Sequence, residues 1–270
     1  MTVVTAAELE EMRCTSPLKT YGQLASSPGT KLLRVSRCGY CRACRVHKQQ
    51  SWIARLWAES LCNGYGQFVT LTFRNEHLAK DLTVRPLQLF LKRLRKSSPG
   101  KIRYLCSGEY GSKTRRFHYH GIIFSNGCPI PPNVLEDKWS YGFVSISPII
   151  RKMSSFRYVT KYCWKNADDP KVVVMSRMPG LGYRTFFTLG QRLAESGSKH
   201  MPNFCEVEGR KYPLDRTVRD YISAGYYSVT GGILAERSSP IVTDMRLRLE
   251  AMVGLVDERG EPVTVSLYHG

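Results

Sequence analysis

The chain has 270 residues, with 40 Lys and Arg against 22 Asp and Glu, which gives a formal charge of +18 at pH 7. A hydrophobic content of 42% predicts a folded protein with a core and argues against a disordered chain. The charge predicts a polyanionic partner, which by charge alone is DNA, RNA or an acidic membrane surface. Because there is no run of 18 apolar residues and no basic, apolar leader, we expect neither a membrane-spanning helix nor a secretory signal.

Apolar periodicity and turn residues predict an alternation of helices and strands along the chain. In chain order these are a helix at about 45–61, a strand at 67–73, a helix at 85–96, strands at 101–109, 117–124 and 143–147, a helix at 151–165, strand-like pieces at 171–175 and 183–189, and a helix at 243–253. The central part predicts an α+β fold with helices packed on a central antiparallel sheet. We expect three regions, which are an N-terminal cysteine-rich region at 1–62, a core at 63–166 and an accessory region at 167–270.

Two histidines, His118 and His120, lie two residues apart in the strand at 117–124. Side chains alternate across a strand, so both imidazoles project from the same face. If the preceding turn closes symmetrically, Glu109 lies directly opposite His118 on that face, with Cβ atoms roughly 5 Å apart. Two imidazoles and a carboxylate suit Mg²⁺ or Mn²⁺ that also binds a phosphate. The alternative is a pair of strand histidines without a ligand, and a slip of one residue would turn Glu109 away.

The helix at 151–165 contains the pattern Tyr-x-x-Lys twice, as Tyr158 with Lys161 and Tyr162 with Lys165. Residues four apart share a helix face and are separated by about 6 Å along the axis. Both hydroxyls can therefore reach one metal-bound phosphate, which a tyrosine oxygen attacks while the lysines stabilise negative charge. The alternative is ordinary aromatic packing on an amphipathic helix.

Three cysteines, Cys38, Cys41 and Cys44, are spaced three residues apart. Tetrahedral Zn²⁺ needs four ligands, and we expect Cys14 as the fourth, with His47 as the alternative. A zinc site in a reducing cytosol fits this pattern better than a disulfide framework. The other interpretations are an iron–sulfur cluster and unligated thiols.

Basic residues border the histidines and the tyrosine helix and predict contacts with DNA phosphates. They are Lys113, Arg115 and Arg116 before the histidines and Arg151, Lys152 and Arg157 beside the tyrosines. For each of them the alternative is a solvated surface charge.

Three motifs in this order resemble those of the HUH endonucleases. They are Phe-Val-Thr-Leu-Thr-Phe at 68–73, His-Tyr-His at 118–120 and Tyr-Val-Thr-Lys-Tyr-x-x-Lys at 158–165. Within that superfamily the chain most resembles the replication initiators of the Microviridae, small phages with single-stranded DNA. The Ser-Arg-Met-Pro-Gly-Leu-Gly stretch at 176–182 and the cysteine-rich N-terminal part look like that family as well. The resemblance covers residues 14–190.

The resemblance implies a nuclease core similar to an RNA-recognition fold, with metal ligands at His118 and His120 and the acidic Glu109 beside them. It implies a nucleophile at Tyr158 with Tyr162 as its partner. The activity implied is nicking of single-stranded DNA at a viral replication origin through a 5′-phosphotyrosine, followed by ligation of the displaced strand.

The setting implied is rolling-circle replication in the cytoplasm of a bacterial host, with a host polymerase. The chain contains no Gly-x-x-x-x-Gly-Lys motif, so we expect a host helicase to unwind the duplex. The alternative functions are a non-catalytic, zinc-containing nucleic-acid-binding protein and an HUH transposase or relaxase.

Overall fold

The fold is given by a computed structural model. It describes residues 14–24, 27–63, 65–78, 83–98, 100–111, 114–126, 128–149, 153–164, 172–232, 247–248 and 266–268. The α-helices in these ranges are α1 (Arg42–Cys62), α2 (Arg85–Ser97), α3 (Pro132–Lys138), α4 (Met153–Trp164), α5 (Tyr183–Glu195) and α6 (Arg216–Thr230). The strands are β1 (Leu18–Leu24), β2 (Ser27–Ser36), β3 (Tyr65–Phe73), β4 (Ile102–Tyr110), β5 (Phe117–Ser125), β6 (Gly142–Ile149), β7 (Val172–Met175), β8 (Phe204–Val207), β9 (Arg210–Pro213), β10 (Leu247–Arg248) and β11 (Ser266–Tyr268). Each helix in the described ranges is too short or too polar to cross a bilayer.

The chain divides into two compact units, Met1–Gln50 and Ser51–Gly270. In the first unit, β1 and β2 pair as an antiparallel hairpin that the sequence did not predict. The second unit contains a five-stranded sheet in the order β6-β3-β5-β4-β7, in which every neighbouring pair is antiparallel. The expected α+β class with a central antiparallel sheet is therefore confirmed.

Strand β3 shows how the sheet separates two hydrophobic layers. Leu71 and its neighbours two residues away are buried on one face, whereas Thr70 and Thr72 are half-buried on the other. The first face packs against α2 and α3 through a cluster that includes Leu87, Phe90, Leu94 and Leu135. The second face packs against the C-terminal half of α1 and against α4 through a cluster that includes Leu56, Leu105, Ile122, Phe156 and Val159. Toward β6 the second face stays open, and its side chains there are exposed.

A buried ion pair holds the stretch at 176–182 against the sheet and α1. Arg103 Nε donates to Glu59 Oε1 at 2.7 Å, and both side chains are more than nine-tenths buried. The guanidinium also donates to the carbonyl oxygen of Pro179 at 2.7 Å, and the carboxylate accepts the amide of Gly182 at 2.6 Å. A buried ion pair requires such additional hydrogen bonds to offset its desolvation, and here they fix the backbone of the turn.

The helices and strands predicted between residues 45 and 175 are confirmed wherever the structure describes them, with ends that differ by at most three residues. The strand predicted at 183–189 is wrong, because this segment begins helix α5. Its aromatic residues favour a strand, but Phe186 and Leu189 are buried at helical spacing. Gly190 then allows close contact with α6, since a Cβ there would lie 2.0 Å from the carbonyl oxygen of Ile222.

Several elements of the C-terminal third were not predicted, namely the hairpin of β8 and β9 and the helix α6. The helix predicted at 243–253 lies outside the described residues except at Leu247 and Arg248. These two residues form β10, which pairs with β11, so the prediction is wrong at these positions. A long-range partner strand decides the structure there, and local periodicity carries no information about it.

Candidate functional site

The pairing of β4 with β5 places three potential metal ligands on one face of the sheet. Glu109 lies directly opposite His118, as the sequence predicted, and His120 is two residues further along β5. Glu109 Oε1 is 3.5 Å from His118 Nε2 and 3.5 Å from His120 Nε2. Two atoms that each lie about 2.1 Å from Mg²⁺ or Mn²⁺ are at most about 4.2 Å apart, so these pairs fit a shared ion. The donor set of two imidazoles and one carboxylate leaves further positions for phosphate oxygens.

Both imidazoles are oriented by hydrogen bonds at their second ring nitrogen. His118 Nδ1 donates to the carbonyl oxygen of Arg116 at 3.3 Å, which leaves the Nε2 lone pair directed toward Glu109. His120 Nδ1 is 3.0 Å from the hydroxyl of Thr70 on β3. Such partners fix the ring orientation and the tautomer that a metal ion requires.

His120 is held in the neutral form that binds metals. Burial, together with the neighbouring His118, lowers the pKa of His120 to about 3. The imidazole is therefore unprotonated at neutral pH, and a metal ion does not have to displace a proton from it.

Tyr158 of α4 stands beside this group of ligands, separated from it by one aromatic ring. Phe68 of β3 stacks on His120 with ring centroids 5.6 Å apart and meets the ring of Tyr158 edge-on at 5.5 Å. Tyr158 is 52% exposed, so its hydroxyl is accessible to a large substrate. The pairing of a divalent-ion site with an accessible phenol is suited to attack on a phosphate diester.

The other predicted residues of the tyrosine helix are described only in part. Lys161 is exposed on α4. Tyr162 lies in α4 four residues after Tyr158, about 6 Å along the axis, and its side chain is outside the described part of the structure. Lys165 lies outside the described residues altogether.

Three of the six predicted DNA-binding residues lie in the described part of the chain. Arg116 bridges the turn to β3, because its guanidinium donates to Asn75 Oδ1 at 2.6 Å and to the carbonyl oxygen of Phe73 at 2.7 Å. Arg115 is exposed, with its guanidinium carbon 5.0 Å from the centroid of the Tyr110 ring. Arg157 donates to the hydroxyl of Tyr212 on β9 at 2.6 Å. The remaining three, Lys113, Arg151 and Lys152, lie outside the described residues.

Three residues of the site were not singled out from the sequence. Thr70 and Phe68 belong to the strand motif at 68–73, and their shared face was readable from its alternation, but their neighbours on β5 and α4 were not. Ser107 lies directly opposite His120, is 1% exposed, and its hydroxyl has no hydrogen-bond partner among the described residues. It places an additional oxygen at the floor of the site.

A second group of ligands is formed by the cysteines of the first unit. The sulfurs of Cys14, Cys38, Cys41 and Cys44 all lie within 4.8 Å of one another. The Cys38–Cys44 and Cys14–Cys41 sulfur pairs are 3.8 and 3.9 Å apart. A tetrahedron of sulfurs about 2.3 Å from a zinc ion has edges of about 3.8 Å, so the group fits tetrahedral coordination. His47 is not part of this group.

Backbone amides tune these thiols. The amides of Cys44 and Thr15 lower the pKa of Cys41 to about 5, and the amide of Cys38 lowers the pKa of Cys14. Burial raises the pKa of Cys44 to about 12. Two thiols of the group are therefore readily ionised, and the buried one needs a bound cation to become a thiolate.

Comparisons with known proteins point to the same segment as the geometry. Residues 66–167 match the family model of the replication-associated protein ORF2, also described as the gene 2 protein. The predicted resemblance to phage replication initiators is confirmed. The replication-associated protein ORF2 of Spiroplasma virus 4 is 36% identical over 151 residues, which are 46% of this chain and 47% of that protein. The replication-associated protein VP4 of Bdellovibrio phage phiMH2K is 29% identical over 152 residues, 47% of each chain.

The chain spans about half the length of these two relatives. The solved structure of the hypothetical protein ORF119 from Sulfolobus islandicus rod-shaped virus 1 is similar at 17% identity, over 44% of this chain and 96% of that one, with a TM-score of 0.34 that does not establish a common fold. The segment matched by the replication-protein family contains the Glu109, His118 and His120 site and both tyrosines, whereas the four cysteines precede it.

Proposed function

We propose that this protein initiates rolling-circle replication of a single-stranded DNA phage by nicking one DNA strand with a tyrosine nucleophile. The observation that carries the proposal is the meeting of three metal-ligand side chains with Tyr158 across the ring of Phe68. The family match over residues 66–167 and the excess of positive charge support it.

In the proposed reaction the phenol oxygen of Tyr158 attacks the scissile phosphorus, and the bond from phosphorus to the 3′ oxygen breaks. The phenol loses its proton to solvent and the 3′ oxygen gains one, which leaves a 3′-hydroxyl and a 5′-phosphotyrosine. One phosphoester bond replaces another, so a 3′-hydroxyl can later attack the phosphotyrosine and reseal DNA without an external energy source.

Glu109, His118 and His120 would hold Mg²⁺ or Mn²⁺, which when bound supplies charge stabilisation to the phosphoryl oxygens. Lys161 adds positive charge on the tyrosine helix, and Lys165 would do so one turn later. Tyr162 would make the second cleavage while the first DNA end is still attached.

Phosphates that flank the scissile bond would be held by the basic residues around the site. These are Arg115 and Arg116 with Lys113, and Arg151, Lys152 and Arg157. The four cysteines of the first unit would hold a structural Zn²⁺. The partners of the proposed reaction are the viral origin and the helicase and polymerase of the host, in the host cytoplasm.

The experiment that tests this function detects the covalent intermediate. The full chain is incubated with circular single-stranded DNA and Mn²⁺, and products are separated on a denaturing gel and mapped by peptide mass. We expect a DNA-linked peptide that contains Tyr158 or Tyr162 and that is absent after chelation. The adduct should disappear when both tyrosines are changed to Phe and persist in Tyr227→Phe, which alters an exposed tyrosine of α6.

An adduct that survives in the double tyrosine variant would contradict the proposed nucleophiles. If no adduct forms but binding is tight and weakens with salt, the protein is a non-catalytic DNA-binding module.

A further inference from the structure

One large aromatic side chain is exposed on the same face of the sheet as the metal-ligand group. Phe143 is 61% exposed and is paired across the strands with Thr72. Thr72 and Thr70 are two apart on β3 and share a face, and Thr70 contacts His120. With neighbouring strands about 4.8 Å apart, Phe143 is two strands from β5, roughly 10 Å across the open face.

The backbone that carries this ring is fixed. Gly142 allows β6 to start in close contact with β3, because a Cβ there would lie 2.1 Å from the carbonyl oxygen of Thr72. The hydroxyl of Thr72 donates to the carbonyl oxygen of Phe143 at 3.3 Å, and the indole of Trp139 donates to the carbonyl oxygen of Thr72 at 2.8 Å. The ring is therefore preorganised, which reduces the entropy lost when a ligand stacks on it.

A cation accompanies the ring. The guanidinium carbon of Arg74 lies 5.3 Å from the centroid of Phe143, within the range of a cation–π contact. Arg74 is itself exposed and follows directly after β3. An exposed aromatic ring beside an arginine, next to a phosphate-binding centre, is the combination with which sheet proteins bind single-stranded nucleic acid.

We propose that Phe143 and Arg74 form a stacking platform for one unpaired base of the DNA strand, within a few nucleotides of the scissile phosphate. The proposal rests on the function proposed above and extends it, since it names where the strand is gripped outside the reacting atoms. A single exposed phenylalanine needs no explanation by itself. The shared face, the fixed backbone and the paired cation together point to a base.

The experiment measures binding without cleavage. The full chain carries Tyr158→Phe and Tyr162→Phe, and the probe is a dT oligonucleotide of about 16 nucleotides with 5-iodouracil in place of thymine. Irradiation links the halogenated base to a stacked aromatic ring, and peptide mass mapping identifies that ring. Affinity is measured in parallel by fluorescence anisotropy with a chelator present.

We expect the cross-link on the peptide that contains Phe143. Phe143→Ala should weaken binding roughly 5- to 150-fold, which corresponds to the loss of one stacked base. Phe143→Trp should retain affinity, whereas Phe143→Leu should not, because it keeps apolar area but no π-face. Arg74→Ala should reduce the salt slope by about one.

The matched control is Tyr227→Ala, which removes an exposed aromatic ring from α6 and should leave affinity unchanged. Unaltered affinity of Phe143→Ala and Phe143→Leu, with cross-links at other residues, would overturn the platform. Because no step of this assay needs cleavage, its failure is separate from failure of the covalent-adduct experiment.

Discussion

The Glu109, His118 and His120 group is assembled by strand pairing, whereas the four cysteines come together at the ends of a hairpin and the start of a helix. Pairing of Leu18 with Ser36 closes the β1–β2 hairpin and brings its two flanks, with Cys14 and Cys38, to the same place. The first group has three protein ligands and an exposed neighbouring tyrosine, and the second has four sulfurs and no open position. Three ligands with open positions are typical of catalytic ions, and four of structural ones.

The largest effect expected from this difference is on the cysteine group. Cys41→Ser should remove one equivalent of zinc from the purified protein and abolish amide-exchange protection across residues 14–50, since structural zinc binding is coupled to folding. Metal content by mass spectrometry and hydrogen exchange measure both. Cys128→Ser, which replaces an exposed cysteine, should change neither. Iron in place of zinc, or unchanged zinc in Cys41→Ser, would contradict the assignment.

Replacement of a ligand in the other group should remove activity and leave the fold intact. His120→Ala should lower the rate of adduct formation by about 10³-fold or more, because the lost metal contributes several kcal/mol to charge stabilisation. Zinc content should stay as in the unaltered chain. His77→Ala, in an exposed turn, is the matched control. A metal-dependent rate that survives in His120→Ala would show that the ion binds elsewhere.

The partner of His120 should have a smaller effect. Thr70→Val removes the hydroxyl 3.0 Å from Nδ1 and keeps the side-chain shape, so the affinity for Mn²⁺ should fall about 10- to 100-fold. Thr72→Val is a close control, because this threonine shares strand and face but bonds to the backbone of Phe143. Titration calorimetry measures both, and equal affinities would mean that Thr70 does not orient the ligand.

The metal-ligand group was predictable from the sequence because it depends on strand periodicity. The symmetric turn between Glu109 and His118 fixed their pairing, and the alternation of β5 fixed His120. The contacts of Phe68 with the tyrosine helix were not predictable, since they depend on how α4 crosses the sheet.

The same limit applies to Arg157, whose contact partner is 55 residues further along the chain. It was predicted to contact DNA, and its guanidinium is engaged by the hydroxyl of Tyr212. Likewise, the segment at 183–189 has a strand-like composition, and only its packing against α6 makes it a helix. Local patterns therefore specified the central sheet, while long-range packing specified the rest.

The smallest expected effect is a pH dependence of stability that belongs to the strand-built group alone. In metal-free protein the pKa of His120 is lowered to about 3 by burial, and it returns to its ordinary value near 6.5 on unfolding. Between these values the unfolded state binds the additional proton, so the free energy of unfolding is highest above pH 6.5 and falls as the pH drops toward 3. The slope from this residue is at most about 1.4 kcal/mol per pH unit.

Denaturant titrations with a chelator at several pH values measure this slope. The contribution should vanish in His120→Gln and persist in His77→Gln, so the difference between the two variants isolates it from other titrating groups. Identical slopes in both variants would mean that His120 is not buried in neutral form. The zinc group should add no such slope between pH 6.5 and 8 while its ion is bound, because a bound cation keeps the cysteines deprotonated.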